Sequence, residues 1–211
     1  MAAQTKNSVA GIPPTIWTPH PKQALALACP IDEIFFGGAP GGGKSTFLLA
    51  SFVQHASLYG EAASGLLVRR TLPELRAIQK EARKLYPQLG AYYLAKDRSW
   101  IFPNGAQLLM NYCETADDAN RYLSTEFTWI ACDEAGGYKD LDPIFFLRSR
   151  LRSPVPGVRK QFILTGNPGG PGHATLFERY IKDKPPYVPF TDPDTGEQRI
   201  YIPSRLTDNP N

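Results

Sequence analysis

The sequence predicts an α/β protein with a mainly parallel central sheet flanked by helices, and three observations predict it. Apolar runs of strand length alternate with helix-period segments, the rhythm of βαβ units. Three of these runs, at 34–36, 127–132 and 161–165, pass directly into polar or glycine-rich loops, as strands do when a parallel sheet collects ligands beyond its carboxyl ends. The first loop lies in E-I-F-F-G-G-A-P-G-G-G-K-S-T at 33–46 and matches G-x-x-x-x-G-K-[ST] at Gly38, Gly43, Lys44 and Ser45.

Residues 1–21 are polar and punctuated by proline, ending in W-T-P-H-P, and are expected to run extended over a surface rather than build core. Residues 22–28 fit a short helix. The strand at 34–36 leads through the glycine loop into T-F-L-L-A-S-F-V-Q-H-A-S-L-Y at 46–59, a helix whose amino end faces that loop. G-L-L-V-R-R at 65–70 reads as a second buried strand, and 73–86 as a helix with Pro73 in its first turn. Segments 91–95, 100–102 and 106–112 read as strands, and Pro103-Asn104-Gly105 between the last two marks an antiparallel hairpin.

A short helix is expected at 115–123, then the strand F-T-W-I-A-C at 127–132 ending at Asp133 and Glu134. A helix is expected over 141–151, and Arg148, Arg150 and Arg152 are expected to lie on one helix, diverging round its axis. The strand Q-F-I-L-T at 161–165 runs into G-N-P-G-G-P-G. From Lys182 onward Pro and Asp dominate, with one hairpin around Asp194, Thr195 and Gly196 and a strand at 200–202. The expected organisation is an arm at 1–32, a core at 33–183 and an extension or linker at 184–211.

Composition narrows the function classes. In 211 residues, 42% hydrophobic and 20% charged describe a soluble globular chain with one substantial core, and the net charge of +3 permits a polyanionic partner without demanding one. Cys29, Cys113 and Cys132 are too few and too scattered for a disulfide framework or a zinc site and read as buried small hydrophobes. No apolar run reaches the length of a membrane span and residues 1–11 lack the pattern of a secretory signal, so a cytoplasmic protein is expected.

The chemistry concentrates at the strand ends. In the glycine loop, Gly38, Gly41, Gly42 and Gly43 let backbone N–H groups turn inward around a phosphate, Lys44 reaches β and γ oxygens, Ser45 offers a hydroxyl to Mg²⁺, and Thr46 opens the helix. Asp133 and Glu134 supply a metal-binding carboxylate and a water-activating one, or else a solvated turn or helix cap; the upstream loop favours the first reading. Thr165, Gly166 and Asn167 either sense a γ-phosphate or form an ordinary glycine-proline loop. Ahead of the first strand, Gln23 can read an adenine edge and Trp17 can stack on the base; the alternative is a surface amide and an apolar anchor. Among arginines, Arg69, Arg70, Arg121, Arg148, Arg150 and Arg152 are candidates to stabilise developing phosphate charge.

Taken together, W-T-P-H-P-K-Q, F-F-G-G-A-P-G-G-G-K-S-T, L-L-V-R-R-T-L-P-E-L, W-I-F-P-N-G-A-Q-L-L-M, A-N-R-Y-L-S-T-E-F-T-W-I-A-C-D-E-A, L-R-S-R-L-R and I-L-T-G-N-P, in this order, resemble the ATPase domain of the large terminase subunit of tailed double-stranded DNA bacteriophages. The resemblance covers most of the chain. It implies a P-loop NTPase of the additional-strand, RecA-like type that uses ATP and Mg²⁺ to translocate duplex DNA into a procapsid. It also implies a portal protein and a small terminase subunit as partners, a homo-oligomeric ring, and work in the cytoplasm of the infected host, without a membrane.

By position the resemblance places Gln23 at adenine, Lys44 and Ser45 at phosphate and Mg²⁺, and Asp133 at Mg²⁺. Glu134 becomes the catalytic carboxylate, and Thr165 with Asn167 couples hydrolysis to motion. Arg121, in A-N-R-Y-L, matches an arginine that acts on a neighbouring subunit's ATP. Two departures matter. Ala39 and Pro40 stand where some members carry an in-loop arginine, which shifts weight to Arg121 or to Arg69 and Arg70. The family's nuclease domain is not matched, and Asp140 with Asp142 reads as a helix cap, so no nuclease activity is expected of these residues. The alternatives are one RecA-like lobe of a helicase, or a nucleotide-dependent switch or scaffold module.

Overall fold

The computed structural model describes residues 16–38, 41, 43–167 and 169–204. Residues 1–15 of the N-terminal arm, the loop residues Ala39, Pro40 and Gly42, Pro168 and the last seven positions lie outside the described residues.

Among the described residues, nine strands form one sheet. In chain order they are β1 (Glu33–Gly38), β2 (Ser64–Arg69), β3 (Tyr92–Leu94), β4 (Ser99–Ile101), β5 (Gln107–Tyr112), β6 (Trp129–Cys132), β7 (Gln161–Gly166), β8 (Phe190–Thr191) and β9 (Gln198–Ser204). Their spatial order is β3-β4-β5-β2-β6-β7-β1-β9-β8, with β5 through β9 parallel and β3, β4 and β8 added antiparallel at the two edges. The interposed strand β7 separates β1, which leads into the glycine loop, from β6, which ends at the acidic pair. The mainly parallel sheet is the one the sequence predicts, and the interposed strand gives the additional-strand, RecA-like arrangement that the resemblance implies.

Helices cover both faces: α1 (Pro21–Leu27), α2 (Lys44–Tyr59), α3 (Leu72–Leu85), α4 (Ala116–Asn120), α5 (Asp142–Leu147) and α6 (His173–Tyr180). The period-2 alternation of the strands divides the core in two. Ile34, Phe36, Leu67, Ala131 and Ile163 face one cluster with Phe47, Leu48 and Phe52 of α2 and Leu75, Ile78 and Ala82 of α3. Phe35, Leu66, Val68, Ile130, Cys132, Phe162 and Leu164 face the other, with Ile144 and Leu147 of α5 and Leu176 and Tyr180 of α6. All three cysteines are buried and free, as small hydrophobes.

Local chemistry sets the helix boundaries. Thr71 caps α3 by accepting the Glu74 N–H, with Pro73 in the first turn, and Thr115 and Asp118 form a reciprocal capping box on α4. The expected helix over 141–151 is shorter: α5 ends at Leu147 and continues as a 3₁₀ turn over Arg148–Arg150. The reason is a backbone pairing in which Phe127 N–H donates to Arg150 O and Arg152 N–H donates to Phe127 O, drawing the chain out beside Phe127. The same pairing takes Phe127 out of β6 proper, and the three arginines do not share a helix.

Residues 184–204, expected as an extension, contribute β8 and β9 to the same sheet. Arg199 on β9 stands directly opposite Glu33 on β1. Glu33 is buried, and its carboxylate accepts Tyr180 Oη at 2.6 Å and Arg179 Nε at 3.0 Å. Arg148 Nε and Arg199 Nε approach it at 2.9 Å and 3.0 Å as ion pairs without hydrogen-bond alignment. Arg148 and Arg199 are in turn paired to Glu197 and Asp192. This buried network ties the C-terminal hairpin to the base of β1. No helix among the described residues is long and apolar enough to cross a membrane.

Candidate functional site

Strand register assembles the site. Val68 pairs with Cys132, and Cys132 with Leu164, so the next residues, Arg69, Asp133 and Thr165, end three adjacent parallel strands at one level. They follow Leu67, Ala131 and Ile163 by two positions and therefore share the α2 face of the sheet. The amino end of α2, carrying Lys44 and Ser45, projects toward the same place.

Asp133 is fully buried and its carboxylate is fully engaged. Oδ1 accepts the Thr165 hydroxyl at 2.6 Å, and Oδ2 accepts Ser45 Oγ at 2.9 Å and Arg69 Nε at 2.9 Å and Nη2 at 2.5 Å. Glu134, in a left-handed conformation at φ 58°, turns away from the strand; its N–H donates to Thr165 Oγ1 at 3.2 Å and its Oε2 accepts Asn167 Nδ2 at 3.2 Å. Burial raises the Glu134 carboxyl above its usual range, Asp133 adds to the shift, and Lys44 and Arg69 oppose it. Lys44 is buried, and the same desolvation lowers its ammonium pKa against the pull of Glu134 and Asp133. A carboxyl held high beside an ammonium held low is the pattern of groups tuned for proton transfer and charge stabilisation.

Two glycines of the loop are dictated by packing. At Gly38, φ is 150° and a Cβ would fall 1.6 Å from the Ser204 carbonyl oxygen at the end of β9. At Gly43, which caps α2 with φ 67°, a Cβ would fall 2.4 Å from Gln23 Nε2. Gly41 also has positive φ. Gln23 itself is buried: Nε2 donates to the Gly43 carbonyl at 2.8 Å and Oε1 accepts the His20 N–H at 2.8 Å. It therefore ties the start of α1 to the glycine loop. Trp17 lies half-buried just ahead of α1, and Thr46 is half-buried in the first turn of α2.

The residues predicted from sequence thus fall into two groups. Lys44, Ser45, Asp133, Glu134, Thr165 and Asn167 converge at the strand ends, with Gly38, Gly41, Gly43 and Gln23 beside them. Arg121 does not join them: at the end of α4 its side chain is 48% exposed, paired to Asp118 at 2.7 Å and stacked over the Tyr112 ring. Arg70 pairs with Glu74 and Glu114, and Arg148 belongs to the Glu33 network. Asp140 accepts the Asp142 N–H at 2.8 Å, a helix-start contact. What sequence reasoning missed is that Arg69 binds Asp133 and that the Thr165 hydroxyl joins both acids. The available signal was position, since each is the first polar side chain after its apolar run.

Ser45 and Asp133 are hard oxygen donors already in contact, and one hydroxyl with one carboxylate is the sparse protein donor set that suits Mg²⁺ completed by phosphate oxygens and water. The residues present therefore fit that ion.

Comparison with solved structures places this architecture among large terminases. The large terminase of a thermophilic bacteriophage aligns with a TM-score of 0.64 at 17% identity, covering 91% of this chain and 47% of that one. The same phage protein in complex with ADP aligns at 0.63 and 18% identity, covering 90% and 46%. The ATPase domain of the Thermus phage P74-26 large terminase aligns at 0.53 and 13% identity, covering 90% and 81%. The chain spans about half the length of the first of these proteins. No protein-family model and no curated protein sequence matches the chain. At these identities the likeness establishes a shared fold.

Proposed function

We propose that this chain is a Mg²⁺-dependent ATPase domain of a phage DNA-packaging motor, hydrolysing ATP by direct attack of water to drive translocation of double-stranded viral DNA. The observation that carries the reading is the contact of Ser45 with Asp133 at 2.9 Å, at the mouth of a G-x-x-x-x-G-K-S loop and next to a half-buried Glu134 whose carboxylate accepts Asn167 Nδ2. The terminase fold and the ADP complex of the thermophilic phage protein support it.

In this reading the loop glycines and the amino end of α2 cradle the phosphates, and Lys44 neutralises the β and γ oxygens. Ser45 and Asp133 would hold Mg²⁺, which would supply Lewis-acid withdrawal of charge from the phosphate oxygens. Glu134, with its raised pKa, takes the proton of the attacking water, and Asn167 fixes its orientation. Gln23, tied to the loop through the Gly43 carbonyl, would lie on the adenine side, and Trp17 would stack on the base. Arg121, exposed and outside the cluster, serves a neighbouring subunit's ATP in a homo-oligomeric ring in this reading. A portal protein, a small terminase subunit and the cytoplasm of the infected host complete the proposed setting.

Changing Glu134 to Gln tests the assignment. ATP-γ-S binding in Mg²⁺ is expected to persist while steady-state phosphate release, with or without duplex DNA, falls to background. Turnover retained in that variant would remove Glu134 from the catalytic role.

A further inference from the structure

Arg69 occupies a position that the hydrolytic scheme leaves unused. It is the last residue of β2, its side chain is 13% exposed, and its guanidinium is gripped from two sides. Nη1 donates to the Glu74 carbonyl in the first turn of α3 at 3.2 Å, while Nε and Nη2 both donate to one oxygen, Asp133 Oδ2. That same oxygen also accepts Ser45 Oγ, and Oδ1 is held by Thr165. Oδ2 thus carries three donors, more than its two lone pairs can serve well, while Oδ1 carries one. A full, permanent positive charge sits on the atom where the Mg²⁺ reading needs a second one.

Two cations on one buried carboxylate oxygen repel strongly, because the surroundings screen them poorly. A polyphosphate removes the conflict by adding enough negative charge for both. We propose that Arg69 is a specificity-determining residue: an internal counter-ion on Asp133 that excludes divalent metal from the nucleotide-free site and so makes the metal enter with its nucleotide. The proposal rests on the reading of Ser45 and Asp133 as the metal-holding pair. Arginine suits the role better than lysine, since it never loses its charge and its fork engages Asp133 and the Glu74 carbonyl together.

The test is Mn²⁺ binding to the nucleotide-free chain, read from the electron paramagnetic resonance signal of free Mn²⁺. Arg69→Gln is expected to bind Mn²⁺ at least tenfold more tightly than the unmodified chain, and adding Asp133→Asn is expected to abolish the gain. Arg69→Lys, which keeps the charge but loses the fork, should fall between, and it carries the test if Arg69→Gln does not fold. An affinity at or below that of the unmodified chain in the folded variants overturns the proposal. A parallel titration of the unmodified chain with ATP-γ-S in Mg²⁺ separates the two readings. Nucleotide binding with unchanged Mn²⁺ affinity in the variants removes only the role of Arg69, whereas failure to bind nucleotide removes the site assignment and the proposal with it.

Discussion

Thr165 donates its hydroxyl to Asp133 at 2.6 Å, and both side chains are fully buried. The same oxygen accepts the Glu134 N–H, so one hydroxyl holds both acids in place. Thr165→Val keeps the shape and removes the hydroxyl, leaving a buried carboxylate oxygen and a backbone donor unpaired. The expected cost is about 2–4 kcal/mol in urea unfolding, with Thr165→Ser restoring most of it. Equal stability of the Val and Ser variants would show that the hydroxyl holds nothing.

His55 sits on α2 with its ring hydrogen-bonded to Thr128 at 2.8 Å, and burial pushes its pKa from 6.5 down to about 4, with Arg159 adding to the shift and Gln161 opposing it. The unfolded chain binds a proton near pH 6.5 and the folded chain only near pH 4. Stability is therefore full above pH 6.5 and is lost as pH falls through that window, by about 3 kcal/mol from this group. His55→Gln should flatten the acid limb of a stability profile between about pH 7 and 4. An unchanged slope would exclude His55 as its source.

Glu33 is the anion around which three arginines gather at the base of β1. Glu33→Gln leaves their charges buried and under-compensated, which costs about 3–5 kcal/mol when one member of a buried ion-pair network is removed. The loss should show first as faster amide exchange in β8 and β9, the strands that Arg199 docks, and should persist at high salt because the pairs are shielded from solvent. Uniform weakening across the sheet would mean that the network does not hold the hairpin.

The legibility of this chain follows interaction range. Ile34 to Phe36, Leu66 to Val68 and Phe162 to Leu164 announce buried strands by composition alone, and the G-x-x-x-x-G-K-S loop and the acidic pair announce their place at the strand ends. The membership of β9 is not legible, because it depends on Arg199 meeting Glu33 from the far end of the chain. The end of α5 is hidden for the same reason, being set by the Phe127 pairing. At the site, Arg69 reads from sequence as one of six candidate arginines, at the end of the second strand and with no partner assigned. Only the register of β2, β6 and β7 reveals that it ends beside Asp133.

Arg121 separates a self-sufficient site from one completed by a neighbour. Its guanidinium is held by Asp118 and the Tyr112 ring at the surface, with no contact to Lys44, Ser45, Asp133 or Glu134 among the described residues. If it acts on a neighbour, specific activity should rise with protein concentration, and Arg121→Ala should lower the assembled rate by about 10³–10⁵. Mixing supplies the sharper measurement. The Arg121→Ala chain keeps Glu134 and the Glu134→Gln chain keeps Arg121, so each is inactive alone, yet a mixed ring contains interfaces where one donates the arginine and the other the acid. Phosphate release should therefore reappear on mixing and follow the fraction of such interfaces. A mixture as inactive as its components would place the arginine in the same chain as the acid, and would turn attention to a group already at the site rather than one supplied across an interface.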